Sequence, residues 1–353
     1  MRKLKFLNKY ITEKDKPYVI AEVGHNHQGN LELCKKIFLK AKQCGASAVK
    51  LQKRSNKNLF SKSMYNQLYN SPNSYAKTYG AHREKLEFNL KQYKELKKYC
   101  KKINIDFFST AFDLKSADFL ISLKLFPIKI ASGDCTNHQL LDYLGRKKIP
   151  MIISTGGTKQ SEVVESYNLL KKYYNNFSIL QCTSGYPPAF KDLNLNVIKT
   201  YKRIFNDILI GYSGHENGIS MPISAYTLGA QIIEKHFTID RTLKGTDQSL
   251  SLGPSGMSRL VRDLNRAYDA LGDGVKKFNE CEIEPLKKMV KIYIAKKDLN
   301  KNHIIKKKDL DLKIVGKLEG FNGSKLLKLI GKKLNKNKFK EEIIFKNDIL
   351  NEK

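Results

Sequence analysis

Gly211-Tyr-Ser-Gly-His215 is a short apolar run that ends at a histidine, and Ile233-Glu-Lys-His236-Phe-Thr-Ile-Asp240 repeats the pattern after one helix-length segment. This spacing is typical of two neighbouring parallel strands joined by a crossover helix. Adjacent strands lie ~5 Å apart, so the two histidines would stand side by side at one edge of a sheet. A metal site on His215 and His236 is one hypothesis, and two unrelated core or surface histidines are the alternative.

The same alternation of short β-branched runs and helical periodicity extends from residue 18 to about residue 271. Eight parallel strands with right-handed crossovers predict an α/β fold, a closed (β/α)8 TIM barrel, with a doubly wound open sheet as the structural alternative. The predicted strands are Val19–Val23, Ala48–Leu51, Ile105–Phe108, Pro127–Ile130, Pro150–Ile153, Ser178–Leu180, Ile208–Ile210 and Gln231–Glu234. A long segment from Arg54 to Arg83 interrupts the pattern, and its length and position suggest a lid over the substrate.

The chain divides into two predicted domains, a barrel over residues 1–280 and a small unit over residues 287–353. Gly272-Asp-Gly274 ends the last barrel helix and opens a charged linker. The second unit has few apolar residues, so it is expected to pack on the barrel or on a partner chain. Its predicted elements are strands at Lys291–Ile294, Ile304–Ile305, Leu310–Leu312 and Ile343–Phe345, with a helix from Ser324 to Ile330.

The formal net charge is +31 at pH 7, from 65 Lys and Arg against 34 Asp and Glu in 353 residues. A large positive net charge is typical of proteins that bind nucleic acids. The lysines are spread over predicted helices, however, and form no stripe with interleaved aromatic residues, so a nucleic-acid function is disfavoured. The same positive field would attract anionic substrates such as phosphorylated metabolites.

Location and redox state follow from two further patterns. No apolar run approaches the ~18 to 20 residues of a membrane-spanning helix, and Met1-Arg-Lys-Leu-Lys-Phe6 lacks the long apolar segment of a signal peptide. The six cysteines are scattered and include no CxxC pair. They are predicted to be reduced thiols. We therefore expect a cytoplasmic protein without a membrane partner.

In a barrel, the residues that follow the C-terminal ends of the strands face the active site. Here those positions are polar or ionisable in all eight strands. Lys50 and Lys129, with Ser132-Gly133 and Ser154-Thr-Gly-Gly157, predict a pocket for phosphate or carboxylate. Three acids, Glu22, Asp134 and Asp247, could act as general acids or bases or hold sugar hydroxyls, and salt bridges to the lysines are the alternative.

Six motifs together resemble the sialic acid synthase family, in register from about residue 16 to 275. They are Ala21-Glu-Val-Gly-His-Asn-His-Gln-Gly29, Lys129-Ile-Ala-Ser-Gly133, Ser154-Thr-Gly156, Gln181-Cys-Thr-Ser-Gly-Tyr-Pro187, Gly211-Tyr-Ser-Gly-His215 and Glu234-Lys-His-Phe-Thr-Ile-Asp-Arg241. The C-terminal unit is, more weakly, similar to an antifreeze-like (SAF) domain. The resemblance implies condensation of phosphoenolpyruvate with an N-acylated hexosamine such as N-acetylmannosamine, with release of phosphate and formation of a nine-carbon sugar acid.

The resemblance also implies roles for single residues. A divalent metal ion, Mn²⁺ with Mg²⁺ or Co²⁺ as alternatives, would be held by His215 and His236 and polarise the sugar aldehyde. Catalysis would involve Glu22, Lys129 and Asp134. Substrate contacts would come from Lys50, Gln52, Thr110, Ser132, Ser154, Ser184, Tyr186, Ser213 and Asp247, with Gln52, Tyr186 and Asp247 toward the sugar. A domain-swapped homodimer is expected, because a thin module gains most by docking on a partner.

Two departures from the family pattern bear on the site. Gly214 stands where an aspartate usually precedes the first histidine. The family places a C-terminal arginine over the partner's active site, yet no arginine follows Arg266 in this chain, and Lys313 or Lys317 is the cation nearest that position. Two rival functions stay open: another phosphoenolpyruvate-dependent 3-deoxy-ulosonate synthase acting on a different or phosphorylated sugar, and a sugar-binding homologue that has lost catalysis.

Overall fold

The structure is a computed structural model that describes residues 1–6 and 9–350. The chain forms two compact units, Met1–Gly272 and Asp273–Lys353. Among the described helices, none is both long enough and apolar enough to cross a lipid bilayer.

The first unit is a closed barrel of eight parallel strands, in which the last strand pairs with the first. This confirms the predicted (β/α)8 barrel and excludes the open sheet. In chain order the strands of this unit are β1 (Lys3–Phe6), β2 (Lys9–Thr12), β3 (Tyr18–Gly24), β4 (Ala48–Lys53), β5 (Asp106–Ala111), β6 (Ile128–Ile130), β7 (Met151–Ser154), β8 (Phe177–Cys182), β9 (Leu209–Gly214) and β10 (Ile232–His236). The barrel comprises β3 to β10, and each of the eight predicted strands corresponds to one of them.

Eleven helices lie in the described part of the first unit. They are α1 (Leu31–Gln43), α2 (Asn56–Leu59), α3 (Lys62–Asn66), α4 (Tyr79–Lys85), α5 (Leu90–Ile103), α6 (Leu114–Ser122), α7 (His138–Arg146), α8 (Gln160–Lys171), α9 (Val197–Ile204), α10 (Ser220–Thr227) and α11 (Pro254–Leu271), with 3₁₀ turns at Ser132–Asp134 and Phe190–Asp192. Their apolar residues recur at helical spacing; α1, for example, buries Cys34, Ile37, Phe38 and Ala41. These faces pack on the outward side chains of the strands and form the main core.

A hairpin at the N-terminus closes one end of the barrel. β1 and β2 pair antiparallel, from Lys3 opposite Thr12 to Phe6 opposite Lys9. Leu4, Phe6 and Ile11 are buried in a second apolar cluster, together with inward side chains near the N-terminal ends of the strands. The Phe6 ring meets Phe108 edge-on at a centroid distance of 5.4 Å. The sequence interpretation missed this hairpin.

The segment between β4 and α5 is folded and contacts the loop that follows β10. It contains α2, α3 and α4, and an antiparallel bridge joins Leu68 to Thr78. The Tyr75 hydroxyl donates to the Lys244 carbonyl at 2.7 Å, and the Gly245 amide donates to Asn73 Oδ1 at 3.0 Å. These bonds attach the middle of the segment, at residues 73 and 75, to the loop after β10.

The second unit is a small irregular module around an antiparallel pair of strands. It contains α12 (Ile283–Lys287), β11 (Lys291–Ala295), β12 (Leu310–Ile314) and 3₁₀ turns at Glu280–Glu282, Lys307–Asp309, Gly323–Lys328 and Lys346–Asp348. The helix predicted from Ser324 to Ile330 is therefore a 3₁₀ turn. The predicted strands at 304–305 and 343–345 are reduced to single bridges, Ile304 to Lys333 and Ile294 to Ile343. Short segments with few neighbours do not sustain regular ladders.

Candidate active site

A cavity of about 530 Å³ opens at the C-terminal ends of the barrel strands. The structure brings together thirteen of the fourteen predicted site residues in its lining: Glu22, Lys50, Gln52, Thr110, Lys129, Ser132, Ser154, Ser184, Tyr186, Ser213, His215, His236 and Asp247. They converge because side chains alternate along each strand and the strands pair in register, with His236 opposite Glu22 and Glu22 opposite Lys50. The cavity is the place where a TIM barrel carries its chemistry.

Asp134 is the predicted site residue that does not line the cavity. It lies in the 3₁₀ turn after β6, and its Oδ1 accepts a hydrogen bond from Asn137 Nδ2 at 2.9 Å. Burial raises the pKa of Asp134. The turn directs Ser132 and Gly133 to the cavity, whereas the Asp134 carboxylate bonds to Asn137 before α7, and a catalytic role for Asp134 stays a prediction.

Lys50 is buried between two carboxylates at the floor of the cavity. Its Nζ lies 2.6 Å from Glu22 Oε2 and 3.5 Å from Glu234 Oε1, and it donates to Thr110 Oγ1 at 2.8 Å. Burial raises the pKa of Glu22 although Lys50 acts against the shift. Burial also acts to raise the pKa of Glu234. The positive charges of Lys50 and Lys129 act against burial, however, and the pKa of Glu234 is lowered. One carboxyl of the pair therefore holds a proton more readily than the other.

Gln52 connects Glu22 to the rim. Its Nε2 donates to Glu22 Oε1 at 2.7 Å. The pairing of β3 with β4 shifts register between Glu22 and Gly24, and Gly24 adopts a φ of +53°, which glycine reaches without strain. This bulge turns the chain away just after Glu22 and leaves its carboxyl facing the cavity.

Lys129 and a set of hydroxyls form a second polar wall. Its Nζ donates to Ser154 Oγ at 2.6 Å and to the Ile130 carbonyl at 2.8 Å, and burial lowers the pKa of Lys129. The Gly156 amide donates to Ser132 Oγ at 3.0 Å. A Cβ at Gly156 would collide with Ser184 Oγ, so the glycine lets the loops after β6, β7 and β8 meet. Two lysines among small hydroxyl residues provide donors for a phosphate or a carboxylate.

His215 and His236 lie side by side at the ends of the adjacent strands β9 and β10, with ring centroids 5.3 Å apart. Burial, with the His236 ring close by, lowers the pKa of His215 to about 3, so its imidazole is neutral. His215 Nδ1 lies 3.2 Å from the Thr183 carbonyl oxygen. Because a carbonyl only accepts, Nδ1 carries the proton, which leaves Nε2 with a free lone pair.

The two imidazoles fit a divalent metal ion. His236 Nδ1 is buried and has no hydrogen-bond partner among the described residues, although Asp247 Oδ2 lies 3.8 Å away. Metal-bound histidines commonly donate their second ring nitrogen to a backbone carbonyl, as His215 does to Thr183. Within residues 1–6 and 9–350, no group of three or more His, Cys, Asp and Glu side chains forms a metal cluster. An ion here would therefore complete its coordination with water and substrate oxygens.

A buried ion pair is formed by the sequence neighbours of the two histidines, Glu216 and Lys235. Lys235 Nζ lies 3.0 Å from Glu216 Oε1 and donates to the Glu216 carbonyl at 2.5 Å. The Tyr212 hydroxyl donates to Glu216 Oε2 at 2.7 Å. A Cβ at Gly214 would collide with the Glu216 carboxylate. The glycine that departs from the family pattern therefore makes room for a carboxylate supplied two residues later.

Sequence reasoning missed several lining residues, namely Arg54, Arg83, Phe112, Glu234 and Thr246. Arg54 could have been found, because it continues the alternation of Lys50 and Gln52 by one further step. Glu234 precedes His236 by two residues and could have been found in the same way. Arg83 belongs to α4, and no strand pattern indicates that it reaches the cavity.

The chain is similar to proteins of one family over most of its length. The sequence profile of the NeuB family matches residues 37–276. The chain is 38% identical to the human N-acetylneuraminate-9-phosphate synthase over 317 residues, covering 90% of this chain and 88% of that protein. It is 36% identical to the N,N'-diacetyllegionaminic acid synthase of Campylobacter jejuni over 336 residues, covering 93% and 99%.

A solved structure of the same kind is also similar. It is the N-acetylneuraminic acid (sialic acid) synthetase from Leptospira borgpetersenii serovar Hardjo-bovis in complex with citrate, with a TM-score of 0.71 and 32% sequence identity. The match covers 81% of this chain and 95% of that chain.

Proposed function

This chain belongs to the NeuB family, and on that premise we propose that it is a nonulosonic acid synthase. It would condense phosphoenolpyruvate with an N-acylated hexosamine such as N-acetylmannosamine and release phosphate. The observation that carries the proposal is the division of the cavity: buried Lys50 and Lys129, with their hydroxyl partners Thr110 and Ser154, come from β4 to β7, and the paired histidines come from the ends of β9 and β10.

The reaction balances as follows. C3 of phosphoenolpyruvate forms a bond to the aldehyde carbon of the open-chain sugar, and the aldehyde oxygen takes up a proton. A water oxygen bonds to C2 of the former phosphoenolpyruvate and loses a proton. The bond between C2 and the phosphate oxygen then breaks while the C2 hydroxyl loses its remaining proton to the departing phosphate, which releases inorganic phosphate and leaves a ketone at C2.

Different residues of this chain would bind the anionic phosphoenolpyruvate and the sugar. Lys50 and Lys129, with the hydroxyls of Thr110, Ser132, Ser154 and Ser213, hold the carboxylate and phosphate of phosphoenolpyruvate. Gln52, Tyr186 and Asp247 bind the sugar, and Ser184 lies beside the turn at Gly156. Burial raises the pKa of both Glu22 and Asp134, but of the two only Glu22 lines the cavity, so Glu22 is suited to deliver the proton to the aldehyde oxygen.

His215 and His236 would hold a divalent ion, with Mn²⁺ as the first choice. Bound there, the ion supplies Lewis-acid polarisation of the sugar aldehyde. The neutral His215 ring and the unpartnered Nδ1 of His236 support this assignment.

The experiment uses the purified full chain with phosphoenolpyruvate, N-acetylmannosamine and Mn²⁺. Phosphate release that requires all three, with a product whose mass equals both substrates plus water minus phosphoric acid, is the expected result. A chelator should abolish turnover, and added Mn²⁺ should restore it. Acceptor binding without phosphate release under any metal would instead mean a homologue that has lost catalysis.

Two variants test the division of the cavity. His236→Ala should abolish metal-dependent turnover while thermal unfolding shows an intact fold. His138→Ala is its control, because His138 is exposed.

Lys129→Met should raise KM for phosphoenolpyruvate by roughly tenfold or more, because a charge-assisted hydrogen bond is lost, and leave KM for the sugar nearly unchanged. The opposite pattern would mean that the two substrates occupy reversed positions.

We further propose that residues 287–353 form an antifreeze-like (SAF) domain and that the protein is a domain-swapped homodimer. Large apolar side chains are exposed on the second unit, with Leu327 at 86% and Phe339 at 61% of full exposure. Surfaces of this kind are commonly covered by a partner. Light scattering coupled to size-exclusion chromatography should give twice the mass of the chain, and a monomer at micromolar concentration would contradict the proposal.

A further inference from the structure

Two guanidinium groups face the cavity from the two ends of the segment between β4 and α5. Arg54 follows β4 and Arg83 lies in α4. Cζ of Arg54 lies 3.7 Å from the centroid of the Phe112 ring, and Arg83 Nη2 donates to the Tyr79 hydroxyl oxygen at 2.8 Å. Ring stacking and hydrogen bonding hold both planar groups in a fixed orientation.

Among residues 1–6 and 9–350, no carboxylate lies within 4 Å of either guanidinium, although Glu87 and Asp247 are near enough to oppose the lowering of the Arg54 pKa. Glu87 forms its ion pair with Lys53 at 2.7 Å, and Asp247 lies beside His236. Arg54 is only 9% exposed. Burial and the positive charge of Arg83 lower the pKa of Arg54 to about 10, so it stays charged at neutral pH. Two neighbouring guanidinium charges, one of them buried and neither in contact with a carboxylate, are unfavourable, and a bound anion would relieve them.

His25 lies between the two arginines and can satisfy only one of them. Arg54 Nη1 lies 3.1 Å from His25 Nε2, and Arg83 Nη1 lies 3.2 Å from His25 Nδ1. Burial and the two arginines lower the pKa of His25 well below its usual range, so the ring is neutral. A neutral imidazole has one acceptor nitrogen and one N–H. One guanidinium therefore faces an N–H group and lacks an acceptor at that position.

We propose that Arg54 and Arg83 form a subsite for an anionic group of the acceptor sugar, and that this group is a phosphate monoester. The inference rests on the proposed synthase function and adds the substrate class. A phosphate has three terminal oxygens, so two guanidinium forks can donate to it at once. It would also supply the acceptor that His25 cannot offer to both arginines.

The position of the pair favours the acceptor over phosphoenolpyruvate. Arg54 follows Lys50 by four residues, which is about 13 Å along an extended strand. An acceptor with its aldehyde at the histidines would extend toward the rim, so its last carbon would approach the arginines. Phosphoenolpyruvate adds three carbons, and a phosphate on C6 of the acceptor becomes a phosphate on C9 of the product. The human relative is named for a 9-phosphate product, and the Campylobacter relative is not. Their identities to this chain are 38% and 36%, so overall sequence similarity does not decide whether the acceptor carries a phosphate.

The test compares two acceptors that differ only in the phosphate. Purified wild-type chain receives phosphoenolpyruvate, Mn²⁺ and either N-acetylmannosamine or its 6-phosphate, and kcat/KM is measured for each. We expect the phosphorylated sugar to be preferred by roughly tenfold or more, from at least one charge-assisted contact. Calorimetric binding of the phosphorylated sugar without phosphoenolpyruvate gives a readout that does not depend on turnover.

Arg83→Gln is the main variant and Arg54→Gln the second, because half-buried Arg83 tolerates replacement better than buried Arg54. Arg146→Gln is the matched control, since Arg146 is exposed and pairs with Asp142. Arg83→Gln should reduce the preference for the phosphorylated sugar roughly tenfold, weaken its calorimetric binding, and leave KM for phosphoenolpyruvate unchanged.

Three outcomes would overturn the inference while leaving the synthase function intact. They are equal use of both sugars by the wild type, a rise in KM for phosphoenolpyruvate in Arg83→Gln, and an equal loss with both sugars. Absence of phosphate release with either acceptor, although the phosphorylated sugar binds, would count against the synthase proposal and leave the arginine subsite standing.

Discussion

Gly214 and Glu216 show how a local departure in sequence can be balanced by a residue nearby. Without a side chain at Gly214, the Glu216 carboxylate occupies that space and pairs with buried Lys235. The sequence indicates the missing aspartate but not its replacement, because only the folded turn brings Glu216 back toward position 214. Arg54 and Glu234 could have been predicted from the alternation of side chains along their strands. The position of Arg83 could not, because it depends on the fold of a segment outside the strands.

Glu216→Ala should destabilise the protein strongly. Lys235 and Glu216 are 1% and 0% exposed in their side chains, and burial already lowers the pKa of Lys235. Removing one partner leaves an unpaired buried charge, which costs about 3–5 kcal/mol of unfolding free energy. Urea denaturation measures the change, with the exposed Glu165→Ala as a control expected within about 0.5 kcal/mol. A loss below about 1 kcal/mol would mean that water or another group compensates Lys235.

At the scale of elements, regular periodicity was easier to interpret than short segments. The barrel strands and helices repeat over many residues, so their positions were predictable. β1 and β2 have four residues each, and their alternation resembles that of any charged loop. Their burial arises from contacts with β3, β5 and other distant strands, which no local pattern contains.

Phe6→Ala tests the hairpin. The Phe6 side chain is fully buried against Phe108 and Tyr18, so its removal leaves a cavity at the closed end of the barrel. We expect a loss of about 3–5 kcal/mol in unfolding free energy, measured by guanidinium denaturation. Tyr10→Ala on the same hairpin, with Tyr10 51% exposed, should change it little. Equal effects of the two substitutions would show that the hairpin is not packed as described.

The loop after β3 makes stability depend on pH through His27. The His27 ring stacks on Phe88 at a centroid distance of 4.2 Å, and its Nδ1 accepts from the Gly29 amide at 3.0 Å. Burial lowers the pKa of His27 to about 3. The unfolded chain, with a pKa of about 6.5, takes up a proton first, so this contribution is full above pH ~6.5 and is lost as the pH falls.

Urea denaturation between pH 7 and pH 4.5 should therefore show a slope of about 1.4 kcal/mol per pH unit from His27 alone. His27→Asn keeps a side-chain acceptor for the Gly29 amide but does not titrate in this range. The variant should lack that part of the slope. If both proteins lose stability in parallel, His27 is protonated in the folded state as readily as in the unfolded one.

At the scale of the whole molecule, the location of the cavity could be anticipated from the sequence, because strand ends follow from barrel topology. The detailed form of the second unit was less accessible. Its core is small, and buried carboxylates such as Asp348, paired with Lys336 and Lys338, take part in its packing. Such pairs depend on contacts between irregular segments that have no period in sequence.

The net charge of +31 should act on substrate capture. Long-range attraction of the anionic phosphoenolpyruvate is screened beyond ~10 Å at 0.1 M salt. Raising NaCl from about 0.02 to 0.3 M should lower kcat/KM for phosphoenolpyruvate severalfold and change kcat little. Potassium glutamate at matched ionic strength controls for competition by chloride. If kcat/KM did not change with salt concentration, the net charge would not contribute to capture, and only the buried lysines would act electrostatically on phosphoenolpyruvate.

The N-terminal hairpin also bears on the order of events during synthesis. β1 and β2 are made before the barrel strands, yet Leu4, Phe6 and Ile11 pack against β10 among other strands, and β10 ends at His236. At ~5–20 residues per second, the interval between Thr12 and His236 is roughly 10–45 s. Throughout that interval three apolar side chains of the nascent chain lack part of their native packing. The hairpin therefore leaves the ribosome well before its packing can be completed, and chaperones that bind apolar segments would have time to engage it.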